Sequence, residues 1–216
     1  SPNSGNSFIN NNYGVIFGLN ENLDAEVSFN TFKLNNWNSV SLLGERNLGP
    51  AFYTVEKNDL EIAGLAEGII VNDYNYLNTG EKTIYAKISN NKLSMNTIFW
   101  PGMVVNGKDI LVTSNKIEGE GFTGINSQWG VGLDIIGNNV QNFTPIELPD
   151  YGLGAPIWLG QDTRNCVVVG GSNKTNVVDL GTDNIITGVN TMHGNPPGPA
   201  IRDAMRDWTP VLPPGL

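Results

Sequence analysis

The chain has 216 residues, 39% of them hydrophobic, enough for one large domain with a continuous core. Its formal charge of −9, with 12 Lys and Arg scattered along it, argues against nucleic acid and anionic membrane as partners. A lone Cys166 excludes an internal disulfide, a lone His193 excludes Cys/His metal spacing, and no run nears the ~20 apolar residues of a membrane helix. No metal or cofactor is expected.

The chain holds 31 Asn, 26 Gly and 12 Pro. Asn tolerates the left-handed backbone region better than other non-Gly residues, so this composition suits a fold of many corners. In chain order, the first element is Phe8-Ile9-Asn10-Asn11-Asn12-Tyr13. It opens six copies of one kernel: apolar, two residues, Asn, any residue, apolar. The others are centred on Asn30, Asn58, Asn91, Asn115 and Asn138, with steps of 19, 28, 33, 24 and 23 residues. A variable step around a constant kernel marks a coiled solenoid whose side loops differ in length.

A short strand runs into each later kernel, as in Phe52–Val55, Ile84–Ile88, Ile110–Val112 and Leu133–Ile135. A second follows it, starting from Gly or a small residue: Ser39–Leu43, Gly68–Val71, Gly102–Val105 and Gly124–Ile125. With the kernel's own strand this makes three per turn, rich in Val, Ile and Tyr and without a helical period. The expected fold is all-β: a parallel β-helix of seven to eight turns, roughly 35 Å tall at ~4.8 Å per turn. One inward residue per strand repeats on every turn. The kernel Asn falls at one corner, turning left-handed there and bonding to the Asn above and below as a buried ladder.

The last strands are Val167–Val169, Val177–Leu180 and Asn184–Thr187, and the repeat stops after Gly188. Residues 1–190 are therefore read as the β-helix and 191–216 as a carboxyl-terminal cap or docking tail. Gly194–Pro199 is a breaker segment. Ala200–Trp208 fits two turns of helix with Ile201, Ala204, Met205 and Trp208 on one face, followed by Pro210, Pro213 and Pro214. The tail either covers the last turn's open edges or docks a partner. Ser1–Gly5 offers no equivalent cap, so an expected partner at that end is more solenoid or a second copy stacked end to end.

The Gly-φ-φ-φ strand, a corner and φ-x-x-Asn-x-φ resemble the right-handed β-helix repeats of the pectate-lyase-like superfamily and its NosD-like members. The resemblance covers about residues 7–190 and implies a right-handed coil, as parallel crossovers do generally. It also implies two kinds of enzyme site. The Asn-Thr-Asp, Asp-Asp, Gly-His-Gly and Arg-Ile-Lys motifs of polygalacturonases are missing. The calcium-binding acidic cluster and basic residue of pectate lyases have no counterpart in the kernels, and none of the four arginines, Arg46, Arg164, Arg202 and Arg206, sits within one.

Two corners collect the loop variation. The one after the Gly-φ-φ-φ strand offers Tyr74, Tyr76 and Trp129 with Asp73, Gln128, Asp162 and Arg164. Aromatic faces bordered by carboxylates and amides suit sugar rings; the same aromatics equally suit packing of loops onto the solenoid wall. At the other corner Trp37, Leu65, Phe99 and Phe122 align as an apolar column, and Asn142–Ala155 is a long insertion, either a lid or a surface loop. No catalytic residue is assigned. The expected role is a non-catalytic extracellular or cell-surface segment, structural, adhesive or filament-forming. The alternatives are a polysaccharide lyase or hydrolase, in which Asp73, Glu81, Asp162 or Arg164 converge in one cleft, and a carbohydrate-binding module.

Overall fold

The computed structural model describes residues 5–18, 23–44, 50–140, 142–148, 152–170, 176–188 and 190–192. Of the sequence-based cap, residues 193–216, including the helix over Ala200–Trp208, lie outside them, as does Arg46; Thr191 and Met192 belong to a strand that continues the coil.

The chain coils as a right-handed parallel β-helix. Its first turn contributes β1 (Ser7–Ile9) and β2 (Tyr13–Phe17). The second holds β3 (Asp24–Ser28), β4 (Thr31–Lys33) and β5 (Asn38–Gly44). The third holds β6 (Ala51–Glu56), β7 (Asp59–Gly64) and β8 (Glu67–Asp73), then the short helix α1 (Tyr74–Thr79). The fourth holds β9 (Ile84–Ser89), β10 (Lys92–Thr97) and β11 (Met103–Asn106), and the fifth β12 (Leu111–Thr113), β13 (Lys116–Gly121) and β14 (Thr123–Ser127). In the sixth, β15 (Asp134–Ile136) and β16 (Phe143–Pro145) precede a small hairpin, β17 (Glu147–Leu148) with β18 (Gly152–Leu153), and then β19 (Ala155–Leu159). The last two turns are β20 (Val167–Val169) with β21 (Asn176–Asp179), and β22 (Ile185–Thr187) with β23 (Asn190–Met192).

Three parallel sheets result. Sheet A is β1-β4-β7-β10-β13-β16, sheet B is β2-β5-β8-β11-β14-β19-β21-β23, and sheet C is β3-β6-β9-β12-β15-β20-β22. Among the described residues the last two turns carry no sheet A strand.

Register turns the sequence kernel into columns. In sheet A, Phe8, Phe32, Leu60, Leu93 and Ile117 lie one above another. In sheet C the column is Val27, Val55, Ile88, Val112, Ile135 and Val168. In sheet B it is Val15, Val40, Ile69, Met103, Ile125 and Ile157. These columns form one interior core. The kernel is thus the last inward residue of sheet C, the corner Asn, and the first inward residue of sheet A. The Gly before each sheet B strand has a packing cause. A Cβ on Gly68 would lie 2.6 Å from Ile62 Cδ1, and one on Gly102 2.6 Å from Met95 Sδ, because the opposite wall already fills that corner.

The Asn ladder is present, with two corrections. Its first rung is Asn6, not Asn11: the Asn6 backbone N–H donates to Asn30 Oδ1 at 3.0 Å. Asn11 instead pairs with Asn35 at the corner between sheets A and B. Asn6-Ser7-Phe8 carries only the second half of the kernel, since no described sheet C strand precedes it. The left-handed residue is also not the ladder Asn but the one before it: Phe29, Lys57, Asn90, Ser114 and Gly137, with φ between 55° and 65°. That residue makes the bend and aims the Asn side chain inward.

Each inner rung is fully paired. Asn91 Oδ1 accepts from the Asn58 backbone N–H (3.1 Å) and from Asn58 Nδ2 (2.9 Å). Asn91 Nδ2 donates to the Val55 carbonyl (2.9 Å) and to Asn115 Oδ1 (3.0 Å). Asn115 repeats the pattern toward Ile88 and Asn138. Buried amides of this kind cost nothing in lost hydrogen bonds and fix the angle between sheets C and A.

Candidate functional site

The corner from sheet B to sheet C has no such ladder, and it is where chain is inserted. Its backbone is anchored by isolated parallel bridges joining Lys108 to Val131, Val131 to Arg164 and Arg164 to Thr182. Left-handed residues stand one after another here too, at Asp109, Gly132, Asn165 and Asp183.

Asp73 builds the first part of this corner. It closes β8, is fully buried, and caps α1 by accepting from the Tyr76 N–H at 3.1 Å. Its carboxylate also accepts from the Thr83 N–H (2.8 Å), Thr83 Oγ1 (2.7 Å) and the Ile84 N–H (2.9 Å). All its bonding capacity goes into tying the helix to the next turn. Gly80 ends the helix in the left-handed region at φ 81°.

Gln128 builds the second part. Its N–H donates to Asn106 Oδ1 at 2.7 Å and its Nε2 to Asn126 Oδ1 at 2.8 Å. Asn106 Nδ2 donates in turn to Asn72 Oδ1 at 2.9 Å. This short amide chain holds the loop that presents Trp129. Tyr74 backs Trp129, their ring centroids 6.3 Å apart and tilted by 39°. Asn72 Nδ2 donates to the Tyr74 hydroxyl at 3.3 Å.

What these parts enclose is an open cleft of about 450 Å³. Its lining is Tyr76 and Leu77 of α1 with the cap residue Gly80, Trp129 and Val131, and Gln161, Asp162, Thr163, Arg164 and Thr182. Of the seven residues singled out in the sequence, Tyr76, Trp129, Asp162 and Arg164 meet in this cleft. Tyr74, Gln128 and Asp73 stand behind it as its frame. Glu81 does not line it; its backbone carbonyl accepts from Asn75 Nδ2. Leu77, Gly80, Val131, Gln161, Thr163 and Thr182 complete the lining and were not singled out in the sequence. Thr182 enters because the turn from Val167 to Ile185 is only 18 residues long, which sets it in the bridge column beside Arg164.

Asp162 and Arg164 are the charged residues of the lining. Among the described residues no group of three or more His, Cys, Asp or Glu is placed to hold a metal ion, and no helix is long and apolar enough to cross a membrane. The described part of the Asn142–Ala155 insertion does not line the cleft. Its hairpin lies on sheet B, where Ile146 and Leu148 pack with Phe122 and Trp158. Of the apolar column read at the sheet A to B corner, Phe99 and Phe122 stack with centroids 6.2 Å apart, while Trp37 and Leu65 are more than half exposed.

No family model matches this chain, and no curated protein or solved structure matches it.

Proposed function

We propose that this chain is a non-catalytic, extracellular or cell-surface β-helix segment of adhesive function, and that it contacts polysaccharide through the cleft between α1 and the Gln161–Arg164 loop. The observation that carries this reading is the meeting of Tyr76 and Trp129 with Asp162, Arg164 and Gln161 in one open groove of about 450 Å³. Aromatic faces take the C–H side of a sugar, and carboxylate, guanidinium and amide groups take its hydroxyls. Binding without turnover is favoured because two-carboxylate hydrolysis needs a pair some ~5–9.5 Å apart, and Asp162 is the one carboxylate among the described lining residues. The coil and its kernel align the chain with pectate-lyase-like, NosD-like β-helix proteins, and that kinship is part of the proposal.

The test is titration of the purified protein with a panel of neutral and acidic polysaccharides, read by tryptophan fluorescence and calorimetry. At least one is expected to bind saturably, and Trp129→Ala to weaken it about tenfold or more, since an aromatic contact contributes on the order of 1 kcal/mol beyond its buried area. Full affinity in Trp129→Ala would move the site elsewhere. Release of new reducing ends would replace binding by catalysis.

A structural, filament-forming reading has its own observation. β1, β2 and β3 are each the outermost strand of their sheet, and Phe8, Val15 and Phe17 there are only partly buried. Such edges suit a further turn or a second copy. Sedimentation over a range of concentrations tests self-association; a monomer throughout would remove this reading and leave the adhesive one standing.

A further inference from the structure

Aromatic rings stand in register on the outer face of sheet C. Asp24, Phe52 and Tyr85 are partners across β3, β6 and β9, and all three residues are exposed. The Phe52 and Tyr85 rings stack, with centroids 4.8 Å apart and planes 26° from parallel. One end of this stack is closed by the chain's own cation. Lys82 Nζ stands 4.0 Å from the Tyr85 centroid, donates to the Asp109 carbonyl at 3.2 Å and lies 3.7 Å from the Asp109 carboxylate. Asp109 belongs to the next turn, so Lys82 covers the face of Tyr85 turned away from Phe52. The same unit of ring, ammonium and carboxylate recurs where Lys57 Nζ lies 5.0 Å from the Phe29 centroid and pairs with Glu56.

At the other end of the stack the ring and the carboxylates are in place. The second face of Phe52 turns toward the strand of Asp24, and Glu26 lies two residues on along the same outer face. Among the described residues no Lys or Arg stands over Phe52 or pairs with Asp24 or Glu26. Phe52 is 49% exposed. We propose that this face binds an arginine side chain of a partner protein, its guanidinium stacked on Phe52 and forked onto Asp24, within a basic extended segment whose next-but-one residue meets Glu26. A guanidinium fits better than an ammonium, because it is planar, lies flat on an aromatic face and bonds a carboxylate through two N–H groups. Asp24 and Glu26 are ~6.6 Å apart along β3, the spacing of alternate residues in an extended partner segment. The chain's charge of −9 draws such a segment from a distance. None of these residues lines the cleft, so the proposal is independent of polysaccharide binding.

The test is calorimetric titration of the full chain with a hexa-arginine peptide at ~0.15 M salt, where unspecific attraction between exposed charges is screened. Saturable binding is expected, tighter than that of hexa-lysine. Phe52→Leu is expected to weaken it about fivefold, the size of a cation–π contact at an exposed site, and Asp24→Asn by a similar factor. Glu120→Gln, at an exposed acid of sheet A, is expected to leave it unchanged. Absence of saturable binding overturns the proposal. Equal weakening by Glu120→Gln overturns it too, since the peptide then reads net charge alone. So does full affinity in Phe52→Leu, or binding that emerges only in Arg46→Gln, which would make the chain's own guanidinium the occupant. Nuclear magnetic resonance of the parent chain needs no substitution: the Phe52 ring signals are expected to shift on adding the peptide, and unmoved signals under saturating peptide overturn the proposal.

Discussion

The two corners that flank sheet C solve the same problem with opposite means. Both place a left-handed residue at the bend on successive turns. At the C-to-A corner an Asn follows it on turn after turn, and its amide is paired above, below and to the backbone. At the B-to-C corner the following residues differ, Ile110, Leu133, Cys166 and Asn184, and backbone bridges carry the register, with single side-chain rungs such as the Cys166 N–H donating to Asn184 Oδ1 and no continuous ladder. The first corner is fixed by a continuous side-chain chain and accepts no insertion. The second is held loosely enough to carry α1 and the cleft loops. Constancy and freedom are divided between corners of one coil, and ligand contact goes to the free one.

The largest effect should come from breaking the ladder in its middle. Asn91→Ala removes an acceptor from two Asn58 donors and a donor from Val55 and Asn115. At ~1–3 kcal/mol per buried orphan, a loss of about 4 kcal/mol is expected in urea unfolding. Asn6→Ala, at the exposed end, loses only the 3.4 Å bond from Asn6 Nδ2 to Asn30 Oδ1 and should cost under about 1 kcal/mol. Equal losses would mean that the ladder is not a cooperative chain. Next comes Asp73→Ala, which strips caps from α1, Thr83 and Ile84. About 3 kcal/mol is expected, with faster hydrogen exchange at Tyr76, Thr83 and Ile84. Unchanged exchange there would show that the helix is held by other contacts. At the opposite extreme, Arg164→Gln alters an exposed side chain of the cleft. Its stability change should stay within ~0.5 kcal/mol while polysaccharide affinity falls; a large stability loss would erase the division between frame and lining.

Periodicity made the coil readable because each kernel encodes a complete corner. It failed at Asn6 because Asn3 stands where the kernel has an apolar residue, so the sequence carries only the kernel's second half there. The left-handed position escaped for another reason, since Phe29, Lys57 and Asn90 have no common side-chain chemistry and only the backbone distinguishes them. The cleft was half legible. Tyr76 and Trp129 stood out as aromatics in loops, and Asp162 and Arg164 as charges beside them. Asp73 drew attention as a carboxylate, yet Asp73 with Gly80 seven residues on is also the start and stop pattern of a short helix. Thr182 and Gln161 gave no signal, because their arrival depends on how far the last turns shorten.

Glu67 lets the comparison be sharpened with the smallest effect. It begins β8 at the A-to-B corner, is 2% exposed, and its Oε1 has no hydrogen-bond partner among the described residues. The Asn38 amide nitrogen, when turned toward it, reaches Oε2 at 3.1 Å and the Trp37 carbonyl at 3.0 Å. Burial pushes the Glu67 carboxyl well above its ordinary range. The folded state therefore holds this proton to higher pH than the unfolded chain does. Between the unfolded and the raised folded pKa the native state binds more protons, so stability falls as pH rises through that window. Below the ordinary carboxylate range Glu67 costs nothing; above it the cost grows until the folded group itself ionises. Glu67→Gln keeps the shape, removes the charge, and should match the parent near pH 4. As pH rises toward 8 it should become more stable by on the order of 1 kcal/mol. Urea unfolding of the pair from pH 4 to 8 reads this directly. A difference that stays flat with pH would mean Glu67 finds a partner when ionised. The A-to-B corner would then be as fully paired as the Asn ladder, and not intermediate between the two corners beside sheet C.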